Sequence, residues 1–145
     1  MAEIAALYRR WLGEVWRGDL DVLPELCAPD IVGHWPDADV TGVPALAERI
    51  GQTFTMFGDI STSLDVGPVV DGNRVAAYWT FTGAYLGGIP NATATPGTTV
   101  SFTGADFMRV TADRFTEYWV VSDALGLMTR LGALPGVAQA DTRKS

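Results

Sequence analysis

Ile4, Leu7, Tyr8, Trp11, Leu12 and Val15 recur at helical spacing, and Glu3, Arg9, Arg10, Glu14 and Arg17 take the opposite face. The pattern predicts an amphipathic helix ended by Gly18, where a residue free to adopt positive φ stops the turn. A second, short helix is expected through Cys27, capped by Asp21 with Pro24 in its first turn. Ile31 to Trp35 reads as an extended run ending at Pro36, and Pro44 opens a third helix with Leu46, Ile50, Phe54 and Phe57 on one stripe. After Gly58 the period changes from about 3.6 to two. Ile60, Thr62, Leu64 and Val66 alternate with Ser61, Ser63 and Asp65. Val75, Ala77, Trp79 and Phe81 form the inward face of the next strand, after a turn at Asp71-Gly72-Asn73. Val100, Phe102, Asp106, Met108 and Val110 share one face of a third strand, and Phe115, Glu117, Trp119 and Val121 share one face of a fourth. Gly87 to Gly97, rich in Gly, Pro, Ala and Thr, is expected to be a loop and a lid over a pocket. Helices first and an antiparallel meander afterwards predict an α+β fold.

Composition narrows this picture. The 145 residues suit a single domain, 1–135, with a flexible tail at 136–145. Nearly half of them are hydrophobic, and five tryptophans supply enough aromatic bulk to line a cavity as well as fill a core. A net charge of -7 with no basic stripe argues against nucleic acid as a partner. The single cysteine, Cys27, forms no intramolecular disulfide. No apolar run approaches the length of a membrane span, so no membrane partner is expected, and the chain is read as cytoplasmic. One His and one Cys make a transition-metal site improbable, and the expected chemistry uses no metal and no cofactor.

Among the polar residues Asp106 carries the sharpest signal, because it stands in the phase of Val100, Phe102, Met108 and Val110. A carboxyl pointed into an apolar layer escapes the cost of burial by a raised pKa or a specific partner. It then serves as a general acid or base, or as a structural group bonded to a strand or tyrosine. Asp123 ends the fourth strand, where it faces the pocket or caps the following helix. His34, the only histidine, closes the first strand beside Trp35, and its ordinary pKa suits proton exchange near neutrality. Asp37 and Asp39 lie in the Pro36–Asp39 turn, where aspartate also serves the backbone. Asp65 follows Ser61 and Ser63 in phase, as a second acid or a solvent-facing residue. Trp35, Trp79, Phe81, Tyr85, Tyr118 and Trp119 are read as pocket wall or core, and Tyr78 and Tyr118 as possible donors to an oxyanion.

One block has a recognisable order. Gly104-Ala105-Asp106-Phe107-Met108-Arg109-Val110 is followed by a turn at Ala112-Asp113, then by Glu117-Tyr118-Trp119, Asp123 and Leu127-Met128-Thr129-Arg130-Leu131-Gly132-Ala133-Leu134-Pro135. It resembles the SnoaL-like polyketide cyclases, part of the wider group containing the ketosteroid isomerases and nuclear transport factor 2. The resemblance implies a cone-shaped curved antiparallel sheet with three N-terminal helices enclosing an apolar pocket, and a homodimer. It places a general base among His34, Asp37 and Asp39. In polyether epoxide hydrolase/cyclases of this fold, one acid lies in that turn and another on the following strand, which corresponds to Asp65. Three departures qualify the match. Phe81 stands where many relatives have a histidine, the usual Pro-Thr-Gly loop reads Thr95-Pro96-Gly97, and Val120 occupies the position of the aspartate used by aldol cyclases.

The expected function is therefore a cofactor-independent cyclase acting on a large hydrophobic substrate, a polyketide. Asp106 and one of Asp37, Asp39 or Asp65 close an ether ring, with His34 assisting. Trp35, Trp79, Phe81, Tyr118, Trp119 and Asp123 bind the substrate. The alternatives are an epoxide hydrolase or isomerase and a non-catalytic binding module. Limonene-type epoxide hydrolases use an Asp-Arg-Asp set, and the middle strands here have no arginine beside an aspartate.

Overall fold

In the computed structural model, which describes residues 3–133, the first apolar stripe forms α1 (Ile4–Gly13) and buries Leu7, Tyr8, Trp11 and Leu12. A 3₁₀ turn, Val15–Arg17, continues it to Gly18, whose φ of 107° lies in the left-handed region where a side chain would be strained. The second helix is shorter than its pattern predicts. A 3₁₀ turn at Leu20–Val22 leads into the single turn α2 (Leu23–Leu26), with Pro24 in its first turn and no side-chain cap. Cys27 is already strand, because it pairs with Phe115.

β1 (Cys27–His34) turns through residues 35–38 into the short β2 (Asp39–Thr41), and α3 (Val43–Met56) buries Leu46 and Ile50. Four long strands follow: β3 (Phe57–Asp71), β4 (Arg74–Tyr85), β5 (Thr99–Thr111) and β6 (Arg114–Ser122). α4 (Ala124–Arg130) closes the described chain. The six strands form one sheet in the order β2-β1-β6-β5-β4-β3. Every neighbour is antiparallel except β1 and β6, which run parallel. Three irregularities in the β3–β4 register bend the long hairpin, since an extra residue on one strand increases local twist. The three expected N-terminal helices are present, and α4 is a fourth.

The inward faces of β4 and β5 follow the alternation read from sequence. Val75, Ala77, Trp79, Phe81, Val100, Met108 and Val110 are buried, and Asp106 is buried among them. β6 departs from its predicted phase. Val110 pairs with Phe115 while Arg109 pairs with Glu117, so Thr116 is an extra residue in the ladder. This bulge flips every side chain beyond it. Tyr118 and Val120 face inward, and Trp119 and Val121 face outward. The loop 86–98 packs inward through Ile89, Ala92 and Ala94, and the N–H groups of Thr93 and Ala94 bond to the Leu131 carbonyl. The expected tail, 136–145, and the end of the expected domain lie outside the described residues.

Gly104 shows how closely the layers meet. It lies opposite Trp79 on the neighbouring strand, and a Cβ at this position would fall 2.5 Å from the indole ring and 2.6 Å from the Val121 carbonyl oxygen. The indole reaches across to β5 because no side chain stands at Gly104. Gly104→Ala is expected to lose about 1–3 kcal/mol, the usual cost of overpacking, measured by urea unfolding. An unchanged midpoint would mean that the strands separate more freely than this packing allows.

Candidate active site

The sheet, α1 with its following 3₁₀ turn, α3 and α4 line a cavity of about 310 Å³, within the size range of small-molecule sites. Its walls are mainly apolar: Trp16, Trp35, Trp79, Phe81 and Phe102 supply the rings, and Leu12, Met56, Val120 and Leu127 fill between them. Phe81 packs on Phe102 at 4.8 Å, and Trp79 meets Phe102 edge-on at 6.0 Å. The aromatic walls hold one another in place.

Two charged residues line this space. Asp37 stands in the turn after β1, and Arg49 reaches it from the second turn of α3. Arg49 donates through Nη2 to Asp37 Oδ1 at 2.6 Å and through Nη1 to Oδ2 at 3.1 Å. Its guanidinium lies over the Trp35 ring, 4.6 Å from the centroid. The Arg49 hydrogen bonds hold the Asp37 carboxyl below its ordinary range, so Asp37 is an anion near neutrality. Its side chain remains 66% exposed, so this pair is screened by water.

Asp106 lies deeper. It pairs across the sheet with Ala77 and Val120, one step beyond the Trp79–Gly104 pair, and is 1% exposed. Tyr8 of α1 donates to its Oδ2 at 2.8 Å, while Oδ1 has no hydrogen-bond partner. Trp79, Tyr118 and Trp11 direct further donors toward the carboxyl and favour its anion, but burial outweighs them and pushes its pKa up to about 6. Burial also raises the hydroxyls of Tyr8 and Tyr118, and the charge on Asp106 adds to the shift. Both tyrosines therefore remain protonated and can only donate to the carboxylate. Asp106 does not itself line the cavity, whereas Trp79 and Val120, its cross-strand partner on β6, do.

The structure thus brings Trp35, Asp37, Trp79 and Phe81 to the cavity, with Asp106 and Tyr118 directly behind its inner wall. It carries the other candidates elsewhere. His34 is on the outer side of the sheet, its Nδ1 2.9 Å from Asp39 Oδ1 and its Nε2 2.7 Å from Glu117 Oε2. Its ring stacks on Trp119 at 5.3 Å. The Thr116 bulge is the reason that Trp119 lies here and not in the cavity, and strand alternation turns His34 outward while Gly33 faces Tyr118. Asp39 pairs with His34 across the β1–β2 hairpin. Asp65 is exposed on β3 and accepts from Ser63 and Thr80. Asp123 accepts from the Gly126 N–H at 2.9 Å and caps α4. None of residues 87–97 lines the cavity, so the loop is not its lid. Among the described residues no His, Cys, Asp and Glu group could hold a metal. Burial pushes the Cys27 thiol up to about 12, which leaves it unreactive.

Several residues that shape the site went unread in sequence. Arg49 is one, although its position between Leu46 and Thr53 put a cation at the edge of the inward stripe of α3. Tyr8 is another: a hydroxyl on a core stripe needs a partner, and Asp106 is that partner.

The model of the SnoaL-like polyketide cyclase family matches residues 6–131. No curated protein matches the chain. Among solved structures, AclR from Streptomyces galilaeus, a proposed hydroxylase, superposes with a TM-score of 0.77 at 25% identity, covering 90% of this chain and 96% of AclR. TsrD from Streptomyces laurentii gives 0.76 at 27% identity, over 92% of this chain and all (100%) of TsrD. A proposed polyketide cyclase from Acidithiobacillus ferrooxidans gives 0.78 at 23% identity, over 90% and 97% of the two chains, a likeness of fold alone. The fold shared with these neighbours is the nuclear transport factor 2-like cone.

The Asp106 carboxyl has a definite signature in stability. Its native pKa, about 6, lies above the ordinary value of 3.8, so the native chain keeps a proton that the unfolded chain has released. The contribution is complete below about pH 4 and is lost as pH rises through about 6. Between these limits the wild type is expected to lose on the order of 3 kcal/mol relative to Asp106→Asn, which has no carboxyl to ionise. Urea unfolding across this range measures the difference. Parallel pH profiles for the two proteins would mean that Asp106 titrates normally.

Proposed function

This chain belongs to the SnoaL-like polyketide cyclase family, and we propose that it closes a ring on a large apolar polyketide by proton transfer through Asp37 and Asp106. The observation that carries this reading is a carboxyl with a pKa near 6 set directly behind the aromatic wall of a cavity that has an ionised carboxylate in its lining. Two carboxyls whose surroundings separate their proton affinities can divide acid and base roles.

In ether-ring closure, a substrate hydroxyl attacks an epoxide carbon, the epoxide C–O bond breaks, and its oxygen gains a proton. Asp37, anionic and accessible, takes the hydroxyl proton. Asp106 supplies the other, which requires the Trp79 indole to turn aside as substrate enters. Burial already holds Asp106 up to about 6, so part of it keeps the acid form that this step needs near neutrality. The aromatic walls hold the flexible chain folded with its reacting atoms together, which lowers the entropic barrier to closure. Water as the nucleophile is the competing chemistry, and the Arg49–Asp37 pair favours it: the arginine beside an aspartate, missing from the strands, comes from α3. Isotope labelling separates the two. With a hydroxy-epoxide polyketide mimic in oxygen-18 water, the cyclic product is expected to carry no label, and label in the main product would make the protein a hydrolase. Asp106→Asn and Asp37→Asn are each expected to lower turnover by about 10²–10⁴-fold, the former without lowering the thermal midpoint at neutral pH. Unchanged turnover in both variants would remove the acid–base mechanism.

In the same reading the protein works as a homodimer joined through its outer sheet face. Tyr78, Phe107 and Val121 are 42%, 48% and 57% exposed on adjacent strands, and contiguous apolar surface of this kind favours association. Light scattering at micromolar concentration is expected to give twice the chain mass, and Phe107→Asp to give a monomer. A monomeric wild type would remove the dimer.

A further inference from the structure

We infer that His34 is a positioning residue for the cavity: held as an imidazolium between Asp39 and Glu117 on the outer face of the sheet, it fixes the turn that carries Trp35 and Asp37 into the cavity wall. The role rests on the ring-closing reading above, in which Asp37 is the base, and it puts control of that base on the opposite side of the sheet.

Trp35 and Ala38 exchange both backbone hydrogen bonds, at 3.1 and 3.3 Å, and so close a two-residue loop at Pro36 and Asp37. His34 and Asp39 are the next pair down this hairpin, a pair without backbone bonds, where facing side chains stand closest. Across it His34 donates from Nδ1 to Asp39 Oδ1 at 2.9 Å, and from Nε2 to Glu117 Oε2 at 2.7 Å on β6. Strand alternation turns the next residue, Trp35, to the inner face. The hairpin needs such a tie because it forms the end of the sheet. β2 has three residues and pairs only with β1. β1 meets the other strands only through β6, in a parallel pairing whose register shifts between Cys27 and Val32. Arg49 holds the turn from inside, through Asp37 and Trp35, and His34 holds it from outside.

The outer tie depends on one proton. A neutral ring keeps one N–H, and its other nitrogen then turns a lone pair toward a carboxylate. Either β2 or β6 is released, and the turn keeps only its inner hold. Asp39 of β2 and Glu117 of β6 are the charged groups that act on the ring. The second oxygen of Glu117 accepts from Arg109 of β5 at 2.7 Å, and α3 directs Arg49 to Asp37 on the other face. The hydrogen bond from Glu117, then that from Asp39, holds His34 above its ordinary 6.5 against partial burial. The clasp is therefore complete below 6.5 and is lost as pH rises through the native value.

A pH titration followed by nuclear magnetic resonance tests this without substrate. His34 is the one histidine of the chain, so its ring signals are read directly. Their midpoint is expected above 6.5, and the Trp35 indole N–H and the amides of Asp37 and Ala38 are expected to shift with the same midpoint. Asp39→Asn, at a side chain 68% exposed, and Glu117→Gln each remove one charge from the clasp. Both are expected to move the ring midpoint toward 6.5, and the turn signals are expected to move with it. A shift caused by Asp106 would instead keep its own midpoint in both variants. In the wild type, kcat/KM for the hydroxy-epoxide mimic is expected to fall about tenfold through the His34 midpoint, since small displacements of a reacting group are costly. In Asp39→Asn that fall is expected to follow the ring to its new midpoint. Turn signals unmoved through the ring midpoint, or fixed while that midpoint moves, would overturn the positioning role. A turn that follows His34 while the rate does not would uphold the clasp and remove Asp37 as the base, so the two readings fail separately.

Discussion

The hydrogen bond from Tyr8 to Asp106, between residues 98 positions apart, joins the first helix to β5 inside the sheet. A bare carboxylate at this depth would cost several kcal/mol after relaxation. The chain meets that cost with donors from two tyrosines and two tryptophans, leaving a carboxyl whose proton affinity is raised but not extreme. Those donors hold their positions because the rings pack together: Trp11 meets Tyr118 at 4.9 Å and Phe115 at 5.9 Å. Helix docking, aromatic packing and the state of Asp106 are therefore one arrangement. Satisfaction is incomplete, because Asp106 Oδ1, the Tyr118 hydroxyl and the Trp11 and Trp79 ring N–H groups lack well-formed hydrogen bonds. Such groups cost roughly 1–3 kcal/mol each.

The bulge at Thr116 divides chemistry between the two faces of the sheet. Beyond it Tyr118 and Val120 enter the interior, while Glu117 and Trp119 join His34, Asp39 and Arg109 outside. Both His34 ring nitrogens face carboxylate oxygens, which only accept. A neutral imidazole has one N–H, so only the imidazolium satisfies both contacts. The hydrogen bond to Glu117, then that to Asp39, raises its proton affinity accordingly. His34 thus ties β1 and β2 to β6 as a charged clasp, and the polar groups left along the cavity are carboxyls, hydroxyls, indoles and the Arg49 guanidinium.

Inside, the two acids differ because water reaches them differently. Asp37 is solvated, paired with a guanidinium and ionised; Asp106 is dry, surrounded by neutral donors and poised near neutrality. Two aspartates with nearly the same intrinsic affinity for a proton are separated by the depth at which the fold places them.

The sequence by itself determined the succession of helices and strands, the inward face of β4, and the inward direction of Asp106. Each depends on alternation along one segment, and side-chain direction in a strand is a local property of period two. The order from Gly104 to Leu131 also carried the family. It did not reveal that Thr116 is bulged, because an extra residue leaves the hydrophobic pattern plausible in either phase, and so Trp119 was read into the pocket. Nor could spacing show that Asp37 meets Arg49 while Asp39 meets His34. The first partner is chosen by how α3 docks beside the turn after β1, and the second by the register of the β1–β2 hairpin, neither of which the spacing of apolar positions fixes. Only the tertiary structure decided which acids approach the cavity, and with it their proton affinities, because burial and charged neighbours belong to the packed molecule and not to any one stretch of it.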